Sequence, residues 1–405
     1  MRTAVALSVK LIAQAGWLLA VTRLLGHEAY GSFAGATSLA IGIAAIANVG
    51  SNYIVLARMS RDPTGGLDAW RMAWPLTLIC GATLGVVYVL GAPLVLHYTT
   101  LTIGIILTIA FGELIVGPQL ANIGAAMQGG GFVALGQYLQ LLPFVFRLLA
   151  IGITYLWPSD QRLAAYVGLH VLATLAALGV AARVGRRRLG LDLRHRRASL
   201  SELREGASYA AMAFTALNPA ELDKALALRY LGAGPAGYYA AATRTLAAAI
   251  TPMIGMVMTS QPRLFRHAHA TDPGMGRLVQ VIVFACFGWG IAATGSIQIL
   301  ASPLGQLFGA GFVGLDQVLR DVSWAAIPMA VRIGCGGILI AIGHPLVRAG
   351  YEAVGLAVLV ATMSIMLPRQ GLTGAATALV VSELVFAILG VIMVIRYVRK
   401  KTNEK

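Results

Sequence analysis

Ten ionisable residues interrupt stretches that are otherwise apolar: Lys10, Glu113, Arg147, Glu221, Asp223, Lys224, Arg244, Arg332, Glu352 and Glu383. A charge inside a long apolar run is costly, commonly faces a bundle interior or a wet cavity, and marks a functional position by default. Lys10 and Arg147 fall near the middle of their runs, where a long side chain reaches water poorly. Each either lines a cavity or pairs with a carboxylate such as Glu113. Arg23 and Arg229 fall near run ends and can extend to an interface.

The densest group is Asn218-Pro219-Ala220-Glu221, followed at once by Asp223 and Lys224. Asn is a good N-cap, Pro suits the first helical position, and Glu three residues after the cap can complete a capping box. The segment therefore reads as a helix start inside an apolar stretch. Pro219 also removes a donor and disfavours helical geometry at Asn218, which predicts a kink or break. Glu221 and Lys224 are spaced to pair along one face. Two readings stay open. One is a proline kink with a locally neutralised charge cluster. The other is a coupling or gating site, in which Asn218, Pro219, Glu221, Asp223 and Lys224, with Glu113 elsewhere, respond to protonation or ion binding.

No enzyme motif accompanies these groups. The seven His are scattered without paired metal spacing. Cys80, Cys286 and Cys335 sit far apart in apolar segments and read as packing residues, so neither a metal nor a cofactor is expected. Gly129–Gly131 reads as a turn and lacks the Gly-Lys-Ser/Thr ending of a phosphate loop.

The elements that hold these residues must be membrane helices. The chain is 58% hydrophobic and 12% charged, with a mean hydropathy of +0.77; soluble domains carry about a quarter charged residues. Apolar stretches long enough to cross about 30 Å of hydrocarbon recur from end to end. About twelve spans are expected, near 4–25, 30–56, 73–96, 101–127, 132–157, 163–184, 207–231, 237–260, 278–300, 318–342, 346–367 and 373–398. Lys10 and Gln14 interrupt the first run and another span follows, so it is kept as a helix rather than a signal peptide.

The net charge of +15 is concentrated in alternate loops, which is a topological signal rather than a nucleic-acid footprint. Arg58, Arg61 and Arg71, then Arg183–Arg204, then Arg263, Arg266 and Arg277, and finally the Arg396–Lys405 tail share one side. Both termini and the central basic loop are therefore expected on the cytoplasmic side of the cytoplasmic membrane. That loop carries topogenic charge, or it binds a partner or anionic lipid headgroups.

Arg23 to Thr37 is echoed 206 positions later, from Arg229 to Thr243 (229 − 23 = 206). Without a gap, Arg23 meets Arg229, Gly26 meets Gly232, Gly31 meets Gly237 and Phe33 meets Tyr239. An offset of half the chain suggests duplication, with six spans per half and both halves pointing the same way. The expected organisation is a six-helix bundle over 1–184, a basic connector over 185–206 and a second six-helix bundle over 207–405. The matched turns should then lie on the same membrane side.

At this repeat the chain resembles a known family. Thr22-Arg23-Leu24-Leu25-Gly26 with Tyr30-Gly31-Ser32-Phe33 is similar to the first-helix signature of the Wzx-type polysaccharide-biosynthesis flippases. These belong to the multidrug/oligosaccharidyl-lipid/polysaccharide exporter superfamily. Leu222-Asp223-Lys224, Leu231-Gly232 and Ala236-Gly237-Tyr238-Tyr239-Ala240 match in the second half. Leu307-Phe308-Gly309-Ala310-Gly311-Phe312 and Gly371-Leu372-Thr373-Gly374-Ala375-Ala376 look like later landmarks. The resemblance implies an all-α, MATE-like membrane protein of two pseudo-symmetric bundles around a central cavity, working by alternating access. It implies a polyprenyl-diphosphate-linked glycan as cargo, membrane lipid as surroundings, a proton or sodium as coupling ion, and polysaccharide polymerase or export machinery as partners. Such cavities are cationic, which makes Lys10, Arg147, Arg244 and Arg332 substrate-binding candidates. The rival expectations are a cation-coupled multidrug exporter, a membrane glycosyltransferase or ligase, and a scaffold acting through the basic loop.

Overall fold

The computed structural model describes residues 2–96, 101–269 and 274–403. Among them every regular element is helical. In order these are α1 (Arg2–Ala44), α2 (Ser51–Arg61), α3 (Pro63–Val95), α4 (Ile103–Ala110), α5 (Gly117–Gly129), α6 (Val133–Thr154) and α7 (Arg162–Leu189). Then come α8 (Leu200–Leu217), α9 (Leu222–Leu231), α10 (Ala233–His269), α11 (Gly274–Leu307), α12 (Leu315–Ser323), α13 (Ala326–Ala341) and α14 (Pro345–Asn403). Two compact units result, Met1–Gly237 and Tyr238–Lys405.

The twelve expected spans map onto these helices. α1 holds the first span and, beyond a bend at Gly26, most of the second; α14 holds the last two, bent at Gly371. α4 and α5 form one span joined through a wider, π-helical turn at Phe111–Val116. α12 and α13 form another, bent by 46°.

The second span departs from expectation. Instead of running unbroken over 30–56, it opens between Ala45 and Gly50, where Val49 and Gly50 take φ of 48° and 68°. The cause is local: Asn48 Oδ1 accepts the Gly50 N–H at 3.0 Å, a side-chain turn that competes with the helical ladder.

The repeat is visible in the backbone. Gly26 has φ 70° and ψ 177°, and Gly232 has φ 80° and ψ 179°, a region essentially closed to residues with a Cβ. The two turns also touch. A Cβ on Gly31 would overlap the Ala233 carbonyl, and one on Gly237 would overlap the His27 carbonyl. Equivalent glycines of the two repeats thus pack reciprocally, as residues do across a two-fold axis, and both turns lie on the same membrane side.

The basic connector is ordered. α7 continues to Leu189, and α8 begins at Leu200 under a complete capping box formed by Ser199 and Glu202. Between them, Asp192 receives Arg71 at 2.6 Å, while the Trp70 and Trp74 indoles donate to the Asp192 and Arg194 carbonyls. Arg196 bridges Asp68 at 2.9 Å and Glu202 at 2.6 Å, and Arg58 reaches Glu202 at 2.7 Å. Arg196, then the Ser199 backbone and hydroxyl, then Arg58 hold the Glu202 carboxyl far below the usual carboxylate range.

Candidate functional site

The first polar cluster lies inside the first unit, where α1, α6, α7 and the π-helical turn converge. The turn carries Glu113, and such single wide turns are frequent at functional positions. Glu113 Oε1 sits 3.1 Å from His170 Nε2 and 3.6 Å from the Arg147 guanidinium, which also donates to Thr174 Oγ1 at 3.0 Å. Arg147 therefore takes the pairing alternative left open by the sequence. Behind His170, its Nδ1 lies 3.3 Å from the Tyr166 hydroxyl, which accepts the Trp17 indole N–H at 2.7 Å.

The donor inventory orients this chain. Trp17 can only donate, so the Tyr166 oxygen accepts from it and turns its own proton towards His170 Nδ1. The neutral imidazole then carries its proton on Nε2, aimed at Glu113. Phe33, the aromatic of the repeat, packs edge-on at 5.3 Å against both Tyr166 and His170. His170, Tyr166 and Thr174 are all buried. None of Trp17, Tyr166 and His170 was singled out from sequence. The signal was the stripe Tyr166, His170, Thr174, which repeats every four residues along one face of α7.

The second cluster is the interrupted helix between α8 and α9. Asn218–Ala220 form one tight turn, and Glu221 leaves helical geometry at φ −123°, so the break expected at Pro219 occurs. The capping box does not form. α9 starts at Leu222 rather than Pro219, and no side chain caps it. Asn218 instead turns its amide outward from the helix, donating to the Phe214 carbonyl at 2.9 Å and to the Gly42 carbonyl of α1 at 3.2 Å. The expected Glu221–Lys224 pair is replaced as well. Lys224 Nζ bonds Asp223 Oδ1 at 3.2 Å and the Ala220 carbonyl, both partners being local. Asp223 and Lys224 are 1% and 4% exposed. The Glu221 Oε2 atom is buried, and none of the described residues donates to it.

The third cluster belongs to the second unit. Arg332 on α13 bonds Glu383 at 2.8 Å with its guanidinium 5.0 Å over the Phe386 ring, and Arg348 bonds Glu352 at 2.8 Å. Glu352 and Glu383 are 0% and 1% exposed, and the Glu352 carboxylate also acts on Arg332. Arg332 is thus engaged by a carboxylate rather than presented to solvent. Arg244 lies half-buried on α10. Lys10 lies on α1, but its side chain is outside the described residues.

The first and third clusters occupy corresponding spans with opposite polarity. In one unit a carboxylate on the fourth span, Glu113, faces Arg147 on the fifth and His170 on the sixth. In the other an arginine on the tenth span, Arg332, faces Glu352 on the eleventh and Glu383 on the twelfth. Duplication kept a charged three-span junction and exchanged its signs. What such a junction can do is hold three helices together in hydrocarbon and exchange partners or protons when they move.

The fold is that of membrane transporters. An inward-facing multidrug resistance MATE family transporter of the MOP superfamily superposes with a TM-score of 0.74 at 15% identity, covering 98% of this chain and 96% of the other. The outward-facing form gives 0.69 at 16% identity, covering 100% and 96%. A MOP superfamily transporter from Pyrococcus furiosus, described by the reverse polarity of its binding pocket, gives 0.68 at 15% identity over 99% and 95%. No curated protein matches the chain. The model of the polysaccharide biosynthesis protein family does match, over residues 2–267, and the chain, a multi-pass membrane protein of the MOP transporter fold, belongs to that family.

Proposed function

We propose that this protein translocates a polyprenyl-diphosphate-linked oligosaccharide across the cytoplasmic membrane by alternating access, for export of a surface or extracellular polysaccharide. One coincidence carries the reading: a polysaccharide-biosynthesis sequence is built on a transporter fold with charges buried in apolar spans. A diphosphate cannot cross hydrocarbon unaided, whereas fixed cations can replace water around it while the polyprenyl tail stays in lipid. Arg147 and Arg244 are the described cations best suited to that task, being partly exposed where Arg332 is sealed against Glu383. Six-helix halves over 1–184 and 207–405 would move about the 185–206 connector, with both termini cytoplasmic. Glu113, Asn218, Pro219, Glu221, Asp223 and Lys224 would form the coupling and gating set, driven by a proton or sodium ion.

A second reading, a cation-coupled multidrug exporter, draws on the likeness to multidrug MATE structures. Reconstitution in liposomes with a labelled lipid-linked glycan separates the two. Movement of the glycan between leaflets without covalent change supports the proposal. Efflux of cationic dyes with no glycan movement replaces it with the second reading, and product formation would make the protein an enzyme.

A further inference from the structure

Most connector arginines are used up. Arg58, Arg71, Arg194 and Arg196 all reach carboxylates, but Arg183, Arg186 and Arg187 make no ion pair among the described residues. These three stand on one face of α7, at i, i+3 and i+4, where like charges repel and weaken a helix. Topology selection counts positive charge near a span end and does not require it on a shared face. Nor are they needed to finish the helix, because the Gly190 and Leu191 N–H groups already close onto the Arg186 and Gly185 carbonyls.

What the three arginines share is a cavity of about 520 Å³, within the usual size of a small-molecule site. Its far walls are apolar and rigid. Trp70 is 5% exposed and is fixed by its hydrogen bond to the Asp192 carbonyl, and Leu191 and Leu193 flank it. The one acid in the wall, Asp192, is already neutralised by Arg71. Depth follows from arithmetic along α7. Arg162 and Arg183 are 21 residues apart (183 − 162), which at 1.5 Å per residue is about 32 Å, one hydrocarbon thickness. The cavity therefore opens at headgroup level, with three uncompensated cations above an apolar floor.

We propose that this cavity is a binding site for the phosphate headgroup of an anionic membrane phospholipid. Arg183, Arg186 and Arg187 take the phosphate, and the glycerol and first acyl carbons lie against Trp70 and Leu193. The site is independent of the cargo reading and stands or falls separately.

Native mass spectrometry of the full chain, titrated with phosphatidylglycerol or with phosphatidylcholine of the same acyl chains, tests it. Wild type should retain phosphatidylglycerol in preference to phosphatidylcholine. The triple variant R183Q/R186Q/R187Q should lose about a hundredfold in affinity, the product of roughly fivefold for each arginine. Because neutralising three topogenic arginines could impair insertion, a second variant keeps every charge. Ala182→Trp fills the cavity and should also release the lipid. If Ala182→Trp binds phosphatidylglycerol like wild type, the attraction is diffuse surface charge and the site is wrong. If free glycerol 3-phosphate displaces the lipid at equal concentration, the ligand is a soluble phosphate and the lipid assignment is overturned.

Discussion

A buried guanidinium and a buried carboxylate protect each other, and removing one leaves the other stranded. Arg332 and Glu383 are both nearly sealed, so Glu383→Gln should lower unfolding stability by about 3–5 kcal/mol. Pairing Arg332→Met with Glu383→Leu should recover most of that, because an apolar pair of similar volume carries no desolvation cost. Thermal unfolding in detergent measures both. Arg332 and Glu383 were identifiable as costly charges from their apolar neighbours, but their pairing was not, since 51 residues separate them. His170 escaped notice for a different reason. A lone imidazole in an apolar run carries no spacing signal until its helix face is drawn.

At the scale of elements, the glycine turns of the repeat are the sharpest test. Gly26→Ala or Gly232→Ala should each cost about 1–3 kcal/mol, because both residues occupy a region that only glycine enters freely. Gly16→Ala in the same helix meets open space, and should instead stabilise by about 0.5–1 kcal/mol. Unfolding midpoints that moved the same way for both substitutions would remove the backbone argument. The connector offers a second test. Glu202 titrates well below an unfolded carboxylate, so its contribution is complete above the ordinary carboxylate range and is lost as pH falls through and below it. Wild type should therefore lose midpoint temperature between about pH 5 and pH 3 faster than Glu202→Gln does.

The spans themselves were legible because twenty apolar residues have few alternatives in a membrane. The opening at Ala45–Gly50 and the wide turn at Phe111–Val116 were not. Hydropathy averages over a span and is blind to one hydrogen bond. At Asn218–Glu221 the break was readable from proline, but the capping partner was not. Asn218 spends its amide on α1, 176 residues away, rather than on its own helix.

For the whole molecule, the interrupted helix decides how motion is coupled. If Asp223 changes partner or proton during transport, Asp223→Asn should leave abundance near normal while slowing translocation and flattening its pH or ion dependence. Pro219→Ala should slow it too, by straightening the hinge. A double neutral variant of Asp223 and Lys224 that transported at the normal rate, with unchanged pH response, would make their buried pair purely structural.

The opposite signs of the two three-span junctions bear on the membrane voltage. Glu113 with Arg147, Asp223 with Lys224, and Arg332 and Arg348 with Glu383 and Glu352 each sum to zero, given a neutral His170. A unit charge moved across 100 mV exchanges about 2.3 kcal/mol with the field, but a neutral pair carried together exchanges none. The rocking of empty helices should thus be electrically silent. In potassium-loaded liposomes with valinomycin, an imposed voltage should leave the conformational cycle of the empty protein unchanged and act only when the anionic cargo is aboard.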